Sequence, residues 1–317
     1  MEEITHRIVD VNGIKMHVAE MGQGEGRPVV LLLHGYPDLW FSWRHQILAL
    51  SKLGFHTVAP DMRGYGDTDS PSSISSYTYH HLVGDIVALI HLLGVEQVHL
   101  VAHDWGAYVG WHVCLFRPDL IRSYVCLSVP LKPREPAIKP VAAFRRFFGE
   151  DHYIVRNQEP GAMEAVINRV GVAEYLRRTL TLPLSPTLPK GDTQVSQEED
   201  GELPPWITKE DIAYYSSKFS AKGFTGPLSY YRALDLNWEL TAPWTGAKVE
   251  VPVKFVVGDL DLLYNSPGMK EYVHSGKFKE TVPKLEDVVV MEGVGHFLNQ
   301  EKPEEITAHI HHFISKY

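Results

Sequence analysis

At 317 residues, with 44% hydrophobic and 22% charged residues, the chain can bury a sizeable core as one large domain with an insertion or as two modest domains. It carries 39 acidic against 30 basic residues and no Lys/Arg cluster long enough to track a phosphate backbone, so nucleic acid is excluded as the expected partner. The longest apolar run, Val29-Val30-Leu31-Leu32-Leu33, has the length of a buried strand and not of a membrane span.

In chain order, IVDVNGIKMHVAE, RPVVLLLHG and HTVAPDMRG read as short strands. A helix over His81–Leu93 follows, with Leu82, Ile86, Leu89, Ile90 and Leu93 forming one apolar stripe. EQVHLVAHD and SYVCLSVP are further strands, the last ending at Pro130. Strands alternating with helices predict an α/β fold, a mostly parallel central sheet wrapped on both faces. From about Leu131 to Pro243 the pattern changes to aromatic, arginine-rich helical segments, broken by a Pro-, Gly- and acid-rich stretch, LPLSPTLPKGDTQVSQEEDGELPPW, that reads as a solvated loop. Sheet-forming sequence returns with VEVPVKFVVGD and LEDVVVMEG before a terminal helix, EEITAHIHHFISKY. The expected organisation is a core of residues 1–130 and 244–317 interrupted by a helical insertion over 131–243.

The stretch Glu96–Phe116 has the strand, sharp turn and small-residue helix of a nucleophile elbow, in which a strained turn lifts one side chain above the sheet. At its apex stands Asp104, within Ala102-His103-Asp104-Trp105-Gly106, where G-x-Ser-x-G is the familiar pattern. An acid and a histidine follow in the required order. Asp261 lies just beyond the strand VPVKFVV, and His296 lies in a Gly-flanked loop beyond VVVMEG. Asp259 is the rival acid, but Gly258-Asp259 reads as the turn itself, which leaves Asp261 better placed. His34-Gly35-Tyr36-Pro37 follows the strand PVVLLL, and the backbone amides of Tyr36 and Trp105 would form an oxyanion hole.

The aspartate selects the chemistry. Serine attacking a saturated carbon would leave an ether that activated water cannot cleave. Aspartate leaves an alkyl ester whose carbonyl the oxyanion amides can serve. Ionised at neutral pH from a reference pKa of about 3.9, it needs no base for the first step, which frees His296, oriented by Asp261, to activate water in the second. Substitution at sp³ carbon followed by hydrolysis suits epoxides and alkyl halides. An epoxide oxygen needs a proton or a strong hydrogen bond, and phenols supply it. Tyr153 and one of Tyr230 and Tyr231 are the candidates, since neighbours on a helix point about 100° apart. Tyr175, Tyr214 and Tyr215 are assigned to packing.

HGYPDLWFSWRHQ, RGYGDTDSP, VAHDWGAYVGW, FTGPLSYYRALDLNWELTAPW, GDLDLLY and GVGHFLNQEKP together resemble the plant-type soluble epoxide hydrolases of the α/β-hydrolase superfamily. The resemblance covers essentially the whole chain. It implies a single α/β-hydrolase core with a helical cap, without the extra N-terminal domain of the mammalian members, and a preference for fatty-acid epoxides, with aryl and alkyl epoxides also turned over. Position by position it implies Asp104 as nucleophile, Asp261 as orienting acid, His296 as base, and Tyr153 and Tyr231 as donors to the epoxide oxygen. It places His34 to Pro37 in the family's HGxP loop, with Tyr36–Pro37 often cis, and puts His103 and Asp38 near the hydrolytic water. Asp38 is one methylene shorter than the family's Glu. A haloalkane dehalogenase is the alternative, since those enzymes share Asp-Trp-Gly at the elbow. They commonly carry Asn where this chain has Tyr36, and they lack the paired cap tyrosines. A non-catalytic ligand receptor on the same fold ranks below both, having no reason to keep the full set of groups.

No cofactor and no metal are expected: HIHHF near the C-terminus reads as a helix surface, with no Cys or acid at ligand spacing. The expected partner is a small-molecule epoxide, with monomer or homodimer left open. MEEITHRIVDVNGIKMHVAEMG opens on acids, the reverse of a signal peptide, and Ser315-Lys316-Tyr317 is not the peroxisomal address. Cys114 and Cys126 read as small buried hydrophobes and not as a disulfide, so a cytoplasmic location is expected.

Overall fold

The computed structural model describes residues 4–181 and 203–317. Strands Val29–Leu33 (β3), Val98–His103 (β5), Ile121–Leu127 (β6) and Val253–Gly258 (β7) are buried along nearly their whole length, as expected of parallel strands covered on both faces. With His56–Pro60 (β4) and Leu285–Met291 (β8) they form the parallel part of an eight-stranded sheet. Thr5–Val11 (β1) and Ile14–Met21 (β2) make an antiparallel hairpin that completes the order β1-β2-β4-β3-β5-β6-β7-β8. Its two-residue turn is Asn12-Gly13, both at positive φ, the residues such a turn favours.

Helices Arg44–Lys52 (α1), Tyr79–Leu92 (α2) and Trp105–Phe116 (α3) connect the first strands. The helix expected from His81 starts two residues earlier and buries Leu82, Ile86, Leu89 and Ile90 as its periodicity requires. Between β6 and β7 the described residues form Pro140–Phe148 (α4), Tyr153–Arg156 (α5), Ala162–Val170 (α6), Val172–Thr181 (α7), Lys209–Lys222 (α8), Thr225–Arg232 (α9) and Leu234–Leu240 (α10). Gly171, at φ +91°, divides α6 from α7. A reciprocal pair of bonds between Thr208 and Asp211 caps α8. Most of the expected solvated loop, residues 182–202, lies outside the described residues. After β7 come Met269–His274 (α11), Gly276–Thr281 (α12), Leu298–Glu301 (α13) and Pro303–Ile314 (α14).

Cys114 and Cys126 are buried and unpaired. In α14 Ile310 and Phe313 are buried while His312 is exposed, consistent with HIHHF on the outer face of a helix. In the RGYGDTDSP turn, Arg63 forms a bidentate buried pair with Asp85 at 2.7 and 2.5 Å. Among the described residues one group, His17, Asp61 and Asp67, has metal-ligand spacing; its members are bound to one another, His17 Nδ1 to Asp61 Oδ2 at 2.8 Å and the Asp67 amide to that same oxygen at 3.2 Å. No helix among the described residues is long and apolar enough to cross a membrane.

Candidate active site

Asp104 stands between the end of β5 and the first residue of α3 at φ 51°, ψ −119°, a backbone conformation that costs a non-glycine residue energy and is held by the elements on either side. Two glycines make room. A Cβ on Gly106 would meet the Leu33 carbonyl, so only glycine lets α3 approach β3 this closely, and a Cβ on Gly35 would occupy the space of the Asp104 carboxylate.

The carboxylate is fixed at both oxygens. The Tyr36 amide donates to Asp104 Oδ1 at 2.7 Å, and His296 Nε2 lies 3.6 Å from Oδ2. The other ring nitrogen of His296, Nδ1, lies 2.7 Å from Asp261 Oδ2. Asp261 is fully buried, and its second oxygen accepts the amides of Leu263 and Tyr264 at 2.6 and 3.3 Å. The rival Asp259 accepts the amides of Gly293 and Val294 at 2.8 and 3.3 Å, so it shapes the loop carrying His296 without touching the ring. The His103 Nε2–H donates to the His296 carbonyl at 2.8 Å.

Burial alone would raise the pKa of Asp104, but His296, with Nε2 3.6 Å away, and the bond from the Tyr36 amide outweigh it and hold the carboxyl below its ordinary value. Asp261 follows the same pattern, lowered by His296 against the pull of burial. Burial disfavours imidazolium at His296, yet Asp261 and Asp104 together push it well above the usual histidine range. His296 thus stands between two carboxylates that both favour its protonated form.

Tyr153, on α5, and Tyr231, on α9, line the same cavity of about 140 Å³ as Asp104, Tyr36 and His296. Burial and then the Asp104 charge push both phenols well above 10, so both are neutral O–H groups. Tyr231 meets Tyr153, Tyr36 and Trp105 edge to face. Its neighbour Tyr230 turns away and donates to the Arg63 carbonyl at 2.8 Å.

His34 holds the loop before Asp38. Its Nδ1–H donates to the Gly35 carbonyl and its Nε2 accepts the Met62 amide, both at 2.9 Å, and Tyr36–Pro37 is cis. Asp38 Oδ1 accepts Tyr215 at 2.8 Å and Gln300 at 3.3 Å, while Oδ2 faces His103 Nδ1 at 3.9 Å.

Two tyrosines assigned to packing are placed differently. The Tyr175 hydroxyl is 2.7 Å from that of Tyr36 and lines the cavity, and Tyr215 is the hydroxyl bonded to Asp38. Tyr214 does pack, with Phe41 and Trp40, and accepts the Trp40 indole N–H at 2.9 Å. Ser128 was not foreseen. At φ 74° beyond β6, its hydroxyl donates to Asp261 Oδ2 at 2.6 Å and lies 3.1 Å from His296 Nδ1. Ser-Val-Pro after a strand carries no signal for this role. Only a non-glycine residue at positive φ, visible in three dimensions, marks it.

Residues 28–167 match the family model described as alpha/beta hydrolase fold. The chain is 54% identical to epoxide hydrolase 3 of Siraitia grosvenorii across the full length of both. It is 60% identical to a crystallised epoxide hydrolase of Vigna radiata, with a TM-score of 0.94 covering 100% of this chain and 99% of that one. It is 48% identical to the potato enzyme, with a TM-score of 0.93 over 99% and 100% of the two chains. An elbow aspartate beside a histidine and two neutral phenols, on this sheet and in this company, shows that the chain belongs to the plant-type epoxide hydrolases of the α/β-hydrolase fold.

Proposed function

We propose that the enzyme converts epoxides to vicinal diols through a covalent ester on Asp104, and that residues 131–243 form the cap holding the two phenols over that carboxylate. The observation that carries this reading is the Asp104 carboxylate, fixed by the Tyr36 amide and facing His296 Nε2 at 3.6 Å, in one cavity with Tyr153 and Tyr231. Asp104 attacks a ring carbon, the C–O bond breaks, and the departing oxygen takes a proton from the phenols, which recover it from His296 once the ester has removed the Asp104 charge that held the ring protonated. Neutral His296, with Asp261 and Ser128 steadying the ring, then takes a proton from the water that attacks the ester carbonyl and passes it to the diol oxygen expelled as the carboxylate re-forms. The oxyanion forms on the amides of Tyr36 and Trp105. Trp105 opens α3, where backbone N–H groups have no partner within the helix. His103 and Asp38 support the hydrolytic step, His103 through its bond to the His296 carbonyl and Asp38 across the 3.9 Å gap to His103.

Fatty-acid epoxides are the proposed natural class, with aryl and alkyl epoxides as further substrates, and the cytoplasm is the proposed location. Two buried free cysteines suit a reducing compartment.

A single turnover in ¹⁸O-water tests the scheme. Attack at the ester carbonyl places the label in the Asp104 carboxylate and leaves the first diol unlabelled, whereas label in the first diol would mean that water opens the ring directly.

A further inference from the structure

A cavity of about 400 Å³ lies apart from the catalytic one, and no residue lines both. It is built where residues 131–138 and 241–247, with α4 and α10, meet α3. Tyr79, Leu115, Phe144, Phe148 and Trp244 supply apolar walls, with Phe147 exposed at the mouth.

Among its polar groups is one buried donor without an acceptor, on Asn237. Asn237 is 1% exposed, and its Oδ1 accepts the Tyr79 amide at 2.7 Å, which fixes the orientation of the side-chain amide. Nδ2 is therefore the remaining donor, and no described group accepts from it. Lys132 stands at the mouth. Its side chain is exposed there, and no hydrogen bond or ion pair among the described residues engages its ammonium. The other charged groups are engaged. Arg134 donates to the Trp238 carbonyl and Thr245 and lies 4.1 Å over the Trp238 ring, and Glu135 turns back to accept the Ala137 amide. His112, pushed down to about 4 by burial, is neutral, donates to the Tyr108 carbonyl and stacks on Tyr79.

A hydrocarbon would leave the buried Asn237 donor unmatched, and a cationic amphiphile would meet Lys132. We propose that this cavity binds carboxylate-headed alkyl chains, with Lys132 and Asn237 supplying the polar contacts and the aromatic walls the apolar ones. Such a chain has two sources, a free fatty acid or the tail of an epoxy acid whose ring occupies the catalytic cavity. Tyr108 lines the larger cavity, and its ring lies 5.2 Å from that of Trp105, the residue after Asp104. Only the second source rests on the proposed catalytic assignment.

Calorimetric titration of the intact protein with dodecanoate and dodecanol tests the site without reference to turnover. Dodecanoate should bind saturably, and dodecanol roughly tenfold or more weakly, as expected on losing a charge-assisted contact. Lys132→Met should weaken dodecanoate by about the same factor while leaving turnover of styrene oxide, too short to span both cavities, unchanged. Asn237→Asp keeps the acceptor for Tyr79, replaces the free donor with an anion, and should weaken dodecanoate similarly. Equal affinity for dodecanol, or dodecanoate affinity that Lys132→Met leaves intact, overturns the proposal, and this variant remains informative even if Asn237→Asp fails to fold. Inhibition of styrene oxide turnover then separates the sources: noncompetitive inhibition identifies a free acid in its own site, and competitive inhibition relieved by Lys132→Met identifies the substrate's own tail. Competitive inhibition unchanged in that variant places dodecanoate in the catalytic cavity and overturns the assignment.

Discussion

Asp38 and His103, both essentially buried, face each other at 3.9 Å, and neither Asp38 Oδ2 nor His103 Nδ1 is bonded to another described group. Their ionisation is displaced in opposite directions. Burial pushes Asp38 up to about 7 against the Tyr215 bond, and burial with the neighbouring His296 pushes His103 down to about 4. Between about pH 4 and 7 both are largely uncharged.

This pair predicts a pH dependence that is visible only when one member is removed. Folding favours the protonated form of Asp38, so its contribution is present below the ordinary value of 3.8 and lost as pH rises towards about 7. Folding favours neutral His103, so its contribution is present above the ordinary 6.5 and lost as pH falls towards about 4. The two slopes oppose each other. Relative to wild type, Asp38→Asn should gain stability between these limits as pH rises, and His103→Gln should lose it, each on the order of 3–4 kcal/mol. Urea midpoints across that range would read the effect, and a constant offset from wild type would exclude it.

His296→Gln should leave the first chemical step intact and block the second, because Asp104 attacks without a base. Intact-mass measurement within one turnover should show enzyme plus one substrate mass, located on the peptide carrying Asp104. A protein that stays unmodified under excess epoxide contradicts the covalent scheme.

Tyr153→Phe or Tyr231→Phe should slow ring opening by roughly 10²-fold, the lower range for loss of a proton donor, and the double variant should nearly abolish it. Pre-steady-state formation of the ester is the measurement to make, since a slow second step would mask the effect in kcat. Burst rates equal to wild type would remove the phenols from the mechanism.

Glu301 predicts a defect confined to the histidine loop. Its two carboxylate oxygens accept the amides of Gly295 and Phe297 at 2.7 and 2.9 Å, gripping the chain on both sides of His296. In Glu301→Gln one of those N–H groups faces an NH₂ group, a mismatch worth about 1–3 kcal/mol. Ester hydrolysis should slow while ester formation keeps its rate. Equal slowing of both would indicate general loss of structure.

Much of this arrangement was legible in the residues. Apolar runs such as Val29–Leu33 identify buried strands because burial on both faces leaves no polar alternation. An aspartate at a strand-to-helix turn, with an acid and a histidine in order behind it, sets a reaction class because the ester bond it forms is one that water can undo. Helical geometry limited the Tyr230-Tyr231 pair to one member facing the site, and family resemblance indicated Tyr231, which is the one lining the cavity.

What only the tertiary structure decided is the set of second partners. Tyr215 reaches Asp38 across 177 residues of sequence, Tyr175 reaches Tyr36 across 139, and Ser128 reaches Asp261 across 133. None of these side chains belongs to a local pattern, since a hydroxyl on a helix face or at a strand end is equally compatible with packing, capping or solvent. Their roles follow from which buried carboxylate, imidazole or phenol lies within about 3 Å, the range of a hydrogen bond, and that distance is set for the two tyrosines by how their helices pack against the residues after β3 and for Ser128 by the pairing of β6 with β7.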